Sequence, residues 1–407
     1  MPKLLQINST ANWGSTGKIA EQIGECAMAH GWESYIAYGR SNNPSKSKLL
    51  RIGSKFGIYW HVLETRLFDN HGLSSRLATR KLIKQIEVIK PDIIHLHNIH
   101  GYYINYKILF EYLAKRDIEV VWTLHDCWSF TGHCSHFTAE ECYQWQTVCR
   151  NCKYHKEYPA SLTSRARSNF ELKKSLFMGI KSRLTLTPVS KWLAKQTEQS
   201  FFSGGNITYI YNGVDTSVFI PIKDSDIRSK YTIEDKKILL GVASVWDEKK
   251  GLGDYYKLRE HITSEYVIVL VGLTETQINA LPNGIVGIRR TESQQELAEL
   301  YSAADIVLSL SRAETFGLTI AEGMACGTPA IAYNATATPE LVTPETGLII
   351  DKIGDIDSLI TAIEEISSKG KKLYTAACRK HAEENFDKER CFAKYINLYT
   401  EILNKNK

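Results

Sequence analysis

The chain has 407 residues, 43% apolar and 23% charged, which is the composition of a globular protein and the length of about two domains. No apolar run approaches the roughly 18–20 residues of a membrane span, and the opening Met-Pro-Lys-Leu-Leu lacks a signal-peptide core. A cytoplasmic protein is expected, with its nine cysteines reduced unless they hold a metal.

The net charge of +5 is unevenly spread, with an excess of Lys and Arg up to Ile207 and an excess of acids beyond it. An anionic partner for the first part would explain this, and so would chance unevenness of solvated charge. The aromatic-rich basic signatures of RNA binders are absent, so a membrane surface or a phosphorylated acceptor suits better than nucleic acid.

Taken in chain order, short apolar runs alternate with stretches of helical period, the mark of βα units. The first half predicts strands at Leu4–Asn8, Ser34–Ala37, Ile93–His97, Val120–Leu124 and Leu184–Pro188, with helices at Gly17–His30, Ser74–Ile89 and Tyr106–Arg116. The second half predicts strands at Lys237–Val242, Tyr266–Gly272, Gly287–Arg290, Asp305–Leu308 and Pro329–Ala332. Its helices are Gln294–Ser302, Thr319–Ala325, Asp357–Lys369 and Leu373–Glu384. The expected class is α/β, with two doubly wound Rossmann-like domains facing a central cleft. Their boundaries are 1–207 and 208–387, with a Cys-rich insertion at 127–155. A last helix at 388–407 returns to the first domain. Such sheets bind ligands beyond the carboxyl ends of their strands.

The first loop, Asn12 to Lys18, looks like a phosphate loop but is not a P-loop. A P-loop requires G-x-x-x-x-G-K followed by Ser or Thr, whereas Asn12 stands at the first glycine and Ile19 follows Lys18. An ordinary helix start is the plain alternative for Gly14, Ser15, Thr16 and Gly17.

The strongest signal is SRAETFGLTIAEGMACGTPAIAY, Ser311 to Tyr333. Glu314 and Glu322 stand eight positions apart around Phe316-Gly317, and a helix beginning near Leu318 aims amides and a positive dipole end at an anion. A carboxylate such as Glu322 can accept from two vicinal ribose hydroxyls.

This block resembles the signature of retaining nucleotide-sugar glycosyltransferases of family 4, which have the GT-B fold. The likeness spans nearly the whole chain, taking in VSKWLA (Val189–Ala194), YNGVDTSVF (Tyr211–Phe219) and PELVTPETGLII (Pro339–Ile350). It implies transfer of a sugar from a nucleoside diphosphate sugar, a UDP- or GDP-sugar, to a saccharide or lipid-linked saccharide acceptor. The setting it implies is bacterial capsule, exopolysaccharide or lipopolysaccharide assembly, in the cytoplasm or at the inner face of the cell membrane. Gly14–Gly17 would then lie over the donor diphosphate. Glu322, Phe316, Gly317, Leu318, Thr319 and Lys250 would hold the nucleotide, Glu314 the sugar hydroxyls, and His125 of TLHD the donor sugar. The catalytic set is His125, Glu314 and Lys250, while Asp126, His97, Asn98 and His100 are acceptor candidates. For the last three, strand-end hydrogen bonding is an equal reading. No DxD-like metal site is placed for the diphosphate, so no catalytic cofactor is expected.

One departure stands out. The family pairs an Arg early in the segment GVASVWDEKKGLG with a Lys before the glycine; Lys250 matches the second, but Ser244, Val245 or Trp246 stands at the first. Lys249 or Arg312 could replace it. A degenerate nucleotide-sugar-binding partner, a GT-B epimerase and an inverting transferase are the competing readings.

Two motifs fall outside this scheme. Cys134, Cys142, Cys149 and Cys152 have chelate-type spacing, with His133 and His136 as substitutes, and suggest a structural zinc closing a loop with little core of its own. Buried free thiols or a redox pair are the alternatives. Ser164–Leu184 interleaves basic and apolar residues, as in a helix lying on an anionic membrane or one with a core-facing side and a solvated basic back.

Overall fold

A computed structural model describes residues 1–138, 141–233 and 235–405. Two compact units divide the chain, one made of Met1–Tyr211 and Phe392–Lys407 and the other of Asn212–Cys391.

The first unit begins with β1 (Lys3–Asn8), α1 (Gly14–Ala29), β2 (Glu33–Tyr38) and β3 (Lys48–Arg51). Next come α2 (Lys55–Phe68), α3 (Arg76–Ile89), β4 (Ile93–Leu96), α4 (Tyr106–Leu113) and β5 (Glu119–Leu124). After a long insertion follow α5 (Ala166–Met178), β6 (Leu184–Pro188), α6 (Lys191–Glu198) and β7 (Asn206–Ile207). The strands form one parallel sheet in the order β3-β2-β1-β4-β5-β6-β7. The order runs outward in both directions from the β1/β4 pair. Connections leaving these two strands therefore diverge and open a crevice at their carboxyl ends.

The second unit runs α7 (Ile227–Lys230), β8 (Lys237–Val242), α8 (Leu252–His261), β9 (Tyr266–Val271), α9 (Glu275–Asn279) and β10 (Ile285–Ile288). It continues through α10 (Gln294–Ala303), β11 (Ile306–Ser309), α11 (Leu318–Ala325), β12 (Ala330–Tyr333) and β13 (Gly347–Ile350). Helices α12 (Ile356–Lys369) and α13 (Lys372–Asn385) complete it. Its sheet is again parallel, β10-β9-β8-β11-β12-β13, so its switch point is the β8/β11 pair. The two units repeat one plan although their sequences do not.

The strands are nearly continuous apolar runs because helices cover both faces of a parallel sheet. The exceptions are informative. His95, in the middle of β4, bonds Thr123 Oγ1 at 2.7 Å and Tyr399 Oη at 2.6 Å, and Thr123 also meets Tyr395 Oη at 2.8 Å. Both tyrosines belong to α14 (Lys388–Lys405), whose last residues join the first unit. The predicted returning helix is thus fastened by buried hydroxyls to an imidazole that burial keeps neutral. Among the described residues, no helix is long and apolar enough to cross a membrane.

The insertion after β5 departs from one expectation. It has an apolar core: Phe130, Phe137 and Trp145 are each 0–1% exposed, with Trp145 5.0 Å from Phe130 and 4.8 Å from Phe137 between ring centres. Among the described residues, no group of three or more His, Cys, Asp or Glu is arranged to hold a metal ion. The zinc site expected at Cys134, Cys142, Cys149 and Cys152 is therefore not supported among the described residues, and none of these cysteines is in a disulfide. Burial raises the Cys149 pKa to about 11 and pushes Cys134 higher still.

For the basic helix α5, the core-facing alternative is the one the structure bears out. Its Phe170, Lys173 and Phe177 all face inward. Lys173 Nζ donates to Trp128 O (2.6 Å) and Thr131 O (3.0 Å) and stands 3.4 Å from the Trp128 ring centre. A buried Lys173 amino group, lowered by burial to a pKa of about 7 and satisfied by two carbonyls and an aromatic face, ties the insertion to α5, so this side of the helix packs on the unit.

Removing one hydroxyl tests the α14 clasp. Tyr399→Phe leaves His95 Nδ1 buried without its partner, a loss of about 1–3 kcal/mol. Thermal unfolding is expected to begin several degrees lower, with nucleotide affinity unchanged.

Candidate active site

Each switch point gathers residues singled out from the sequence. In the first unit, β1 ends at Asn8 and α1 starts at Gly14, with Trp13 as N-cap and no side-chain cap or acid in the first turn. A helix start of this kind presents amides and a positive dipole end to an anion. Gly17 is required by space, since a Cβ there would lie 2.5 Å from Thr10 Oγ1. Asn8, which carries no signal in the sequence, joins the two loops of the crevice. Its Nδ2 donates to Thr10 O (2.9 Å) and Thr16 Oγ1 (3.4 Å), and its Oδ1 accepts from Asn98 N (3.3 Å).

Beyond β4 and β5 lies a small, partly open pocket lined by His97, Asn98, His100, His125, Asp126 and Trp128, among others. The acceptor candidates and His125 thus surround one space. Their protonation follows from the bonds. Gln6 donates its amide to Ala20 O (2.7 Å), which leaves Gln6 Oε1 to accept from His97 Nε2 at 3.0 Å. His97, held neutral by burial, must then accept at Nδ1 from His125 Nε2 (3.1 Å). Burial also lowers the His125 pKa to about 4. His125 is therefore a neutral imidazole of fixed tautomer with Nδ1 as its acceptor atom. Gln6 was not foreseen, because a buried polar residue inside an apolar strand has no spacing signature.

His100 Nε2 meets Asp126 Oδ2 at 2.8 Å, and Asp126 Oδ1 accepts from Trp128 N at 2.9 Å. Burial pushes the Asp126 pKa up, but the His100 charge and these bonds outweigh it and hold the carboxyl at about 2. Asp126 is thus committed as an ionised, oriented acceptor.

In the second unit, the β8 loop carries Lys250 and the β11 loop carries Glu314. Lys250 Nζ lies 2.5 Å from Glu314 Oε1. Gly251, at φ +73°, makes this approach possible: a Cβ there would sit 2.2 Å from Leu310 O. Arg312 N donates to Lys249 O (2.9 Å) and closes the loops together. The Glu314 backbone is pinned by Thr336, whose Oγ1 accepts from Glu314 N (2.7 Å) and donates to Glu314 O (2.6 Å). Gly317, at φ +107°, is the N-cap of α11 without a side-chain cap, so Leu318 and Thr319 open the helix next to Glu314. Glu322, one turn on, accepts from Tyr301 Oη at 2.9 Å. Phe316 is 2% exposed, with its ring 5.7 Å from Phe386. It anchors the loop in the core.

The positions weighed for the missing Arg take other roles. Trp246 is a buried anchor donating to Val271 O at 2.8 Å, while Ser244 and Val245 are exposed. Arg312 is engaged by Glu248 (2.6 Å) and the buried Asp254 (3.4 Å).

This geometry can be set beside known proteins. Residues 17–218 match the family Glycosyltransferase Family 4, and residues 223–384 match Glycosyl transferases group 1. The chain belongs to this glycosyltransferase family. Along 98% of its length it is 21% identical to the whole of WcaC of Escherichia coli (strain K12), assigned to colanic acid biosynthesis as a glycosyl transferase. Sucrose-phosphate synthase from Thermosynechococcus elongatus superposes with a TM-score of 0.73 at 16% identity, over 100% of both chains. HepE of Anabaena, solved in complex with UDP, gives 0.66 at 15% identity, over 98% of this chain and 100% of that one. At such identities these structures show the fold, and the fold of this family-4 glycosyltransferase is GT-B.

The pH dependence of stability tests the Asp126 assignment. Its folded pKa lies below the ordinary 3.8, so its contribution is complete above about pH 4 and lost as pH falls toward 2. The shift corresponds to about 2 kcal/mol. In acid titrations followed by circular dichroism, Asp126→Asn should flatten this limb by about that amount; an unchanged limb contradicts the assignment.

Proposed function

We propose that this glycosyltransferase moves a sugar from a nucleoside diphosphate sugar to a saccharide or lipid-linked saccharide, with retention at the anomeric carbon and without a catalytic metal ion. The likeness to WcaC, named for colanic acid biosynthesis, supports a place in bacterial surface-polysaccharide assembly, and the likeness to HepE, solved with UDP, supports a nucleoside diphosphate sugar as donor. The reading locates the enzyme in the cytoplasm, at the inner face of the cell membrane.

The observation that carries it is the meeting of Lys250 and Glu314 beside the start of α11. Lys250 and the α11 amides form a cationic seat for a diphosphate whose negative charge grows as the glycosidic bond breaks. Glu314 accepts hydroxyls of the sugar, and Glu322, oriented by Tyr301, accepts those of the ribose. From the first unit, the Gly14–Gly17 amides serve the diphosphate. Neutral His125, held by His97, orients a sugar hydroxyl through Nδ1, and the His100–Asp126 pair with Asn98 receives the acceptor.

No carboxylate is assigned as a covalent nucleophile, since Asp126 is engaged by His100 and the Trp128 amide. Departure and attack then take place on one face of the sugar. The leaving phosphate takes the acceptor proton, and catalysis rests on positioning and charge stabilisation.

Donor turnover separates this reading from a degenerate binding protein. With the best nucleotide sugar from a panel, Glu314→Ala is expected to lower kcat/KM by about 100- to 1000-fold, a loss of roughly 3–4 kcal/mol. Lys250→Ala should lower it comparably. Turnover unchanged in Glu314→Ala would refute the proposal.

A further inference from the structure

Helix α2 is built the wrong way round for a soluble surface. The only two residues it buries are polar, His61 and Thr65. His61 Nε2 accepts from Gly72 N (3.1 Å), its Nδ1 meets Ser75 Oγ (2.9 Å), and Thr65 donates to His61 O (2.9 Å), so the inward face is satisfied by hydrogen bonds. The outward face carries Phe56, Tyr59, Trp60, Leu63, Leu67 and Phe68, exposed by 78, 74, 52, 47, 38 and 54%. Phe56, Trp60, Leu63 and Leu67 follow helical spacing along one stripe. Leu162, 70% exposed, extends it, because Leu162 N donates to Arg66 O. Side chains of this size expose roughly 700 Å², above the largest apolar patches of about 300–600 Å² on ordinary monomers.

The charges around the stripe indicate its occupant. Lys55 and Arg66 on α2 are exposed, as are Arg76, Arg80, Lys81 and Lys84 on α3. The start of α3 lies beside α2, with Ala78 Cβ 3.3 Å from the Cβ position of Gly53. The acids on these two helices are already engaged, Glu64 by Trp60 Nε1 (2.7 Å) and Glu87 by Arg116 (2.7 Å). A second copy docked through the same face would bring two basic rims together at a cost. An aromatic-rich apolar stripe with a basic rim suits the headgroup boundary of an anionic bilayer, where Trp and Tyr settle and lysines meet lipid phosphates.

We infer that α2 is the docking face of this protein on anionic lipid bilayers. Its apolar stripe enters the headgroup region and the basic edge of α3 lies against the lipid phosphates. The inference stands on this surface alone and does not depend on which sugar is transferred.

The test uses the full chain without nucleotide. Wild type is sedimented with vesicles of phosphatidylcholine alone or with 30% phosphatidylglycerol, at about 0.1 M and 0.5 M salt. It should bind the anionic vesicles and be partly released by salt. Phe56→Ser/Trp60→Ser/Leu63→Glu should weaken binding at least tenfold, and Lys81→Glu/Lys84→Glu should weaken it several-fold. Both variants should keep the wild-type melting temperature and turnover of a soluble acceptor. Failure of wild type to bind anionic vesicles overturns the inference, as does full binding by the charge-reversed variant together with the apolar one. A wild-type dimer that the α2 variant converts to monomer, seen by light scattering, would assign the face to a second copy instead.

Discussion

A parallel sheet cannot be closed by tight turns: each strand must be followed by a crossover, so every loop that leaves a carboxyl end does so on the same edge. Where the strand order reverses, two such loops diverge and leave a crevice. This constraint places the chemistry in each unit. At β1/β4 it brings the Gly14 loop against Asn98 through Asn8, and at β8/β11 it brings Lys250 against Glu314. Residues 64 positions apart in sequence become an ion pair because their strands are neighbours.

Around these crevices the supporting residues remove freedom. Gln6 fixes the tautomer of His97, and His97 fixes that of His125. Thr336 holds the Glu314 backbone, Tyr301 orients Glu322, and Gly251 admits the Leu310 carbonyl that a side chain would exclude. Such preorganisation favours catalysis by positioning, in which the protein supplies fixed dipoles and charges and the leaving phosphate does the proton transfer.

What could be read from the sequence follows the same logic. The sheets were legible because strands covered on both faces are short and apolar throughout, and the Glu314–Glu322 block because a glycine, a helix start and two carboxylates fall in one run. Asn8, Gln6 and Thr336 were not, since each acts through a partner far along the chain. The cysteine spacing suggested a metal because an aromatic core inside a Cys-rich loop leaves no periodic trace. Lys173 counted as surface charge although it lies buried under Trp128. Helix α2 was missed altogether: its apolar residues turn away from the core, and a pattern read as burial has no way to register that.

The central claim is that the second unit seats a nucleoside diphosphate at Lys250 and the start of α11. Thermal shift with a panel of nucleoside diphosphates, with and without magnesium, measures this directly on wild type and Lys250→Ala. A ligand at about 100 times its Kd adds roughly 2.7 kcal/mol, or a few degrees. The account predicts a selective, magnesium-independent rise in wild type that Lys250→Ala largely loses. No rise with any nucleotide, or an equal rise in the variant, would contradict it.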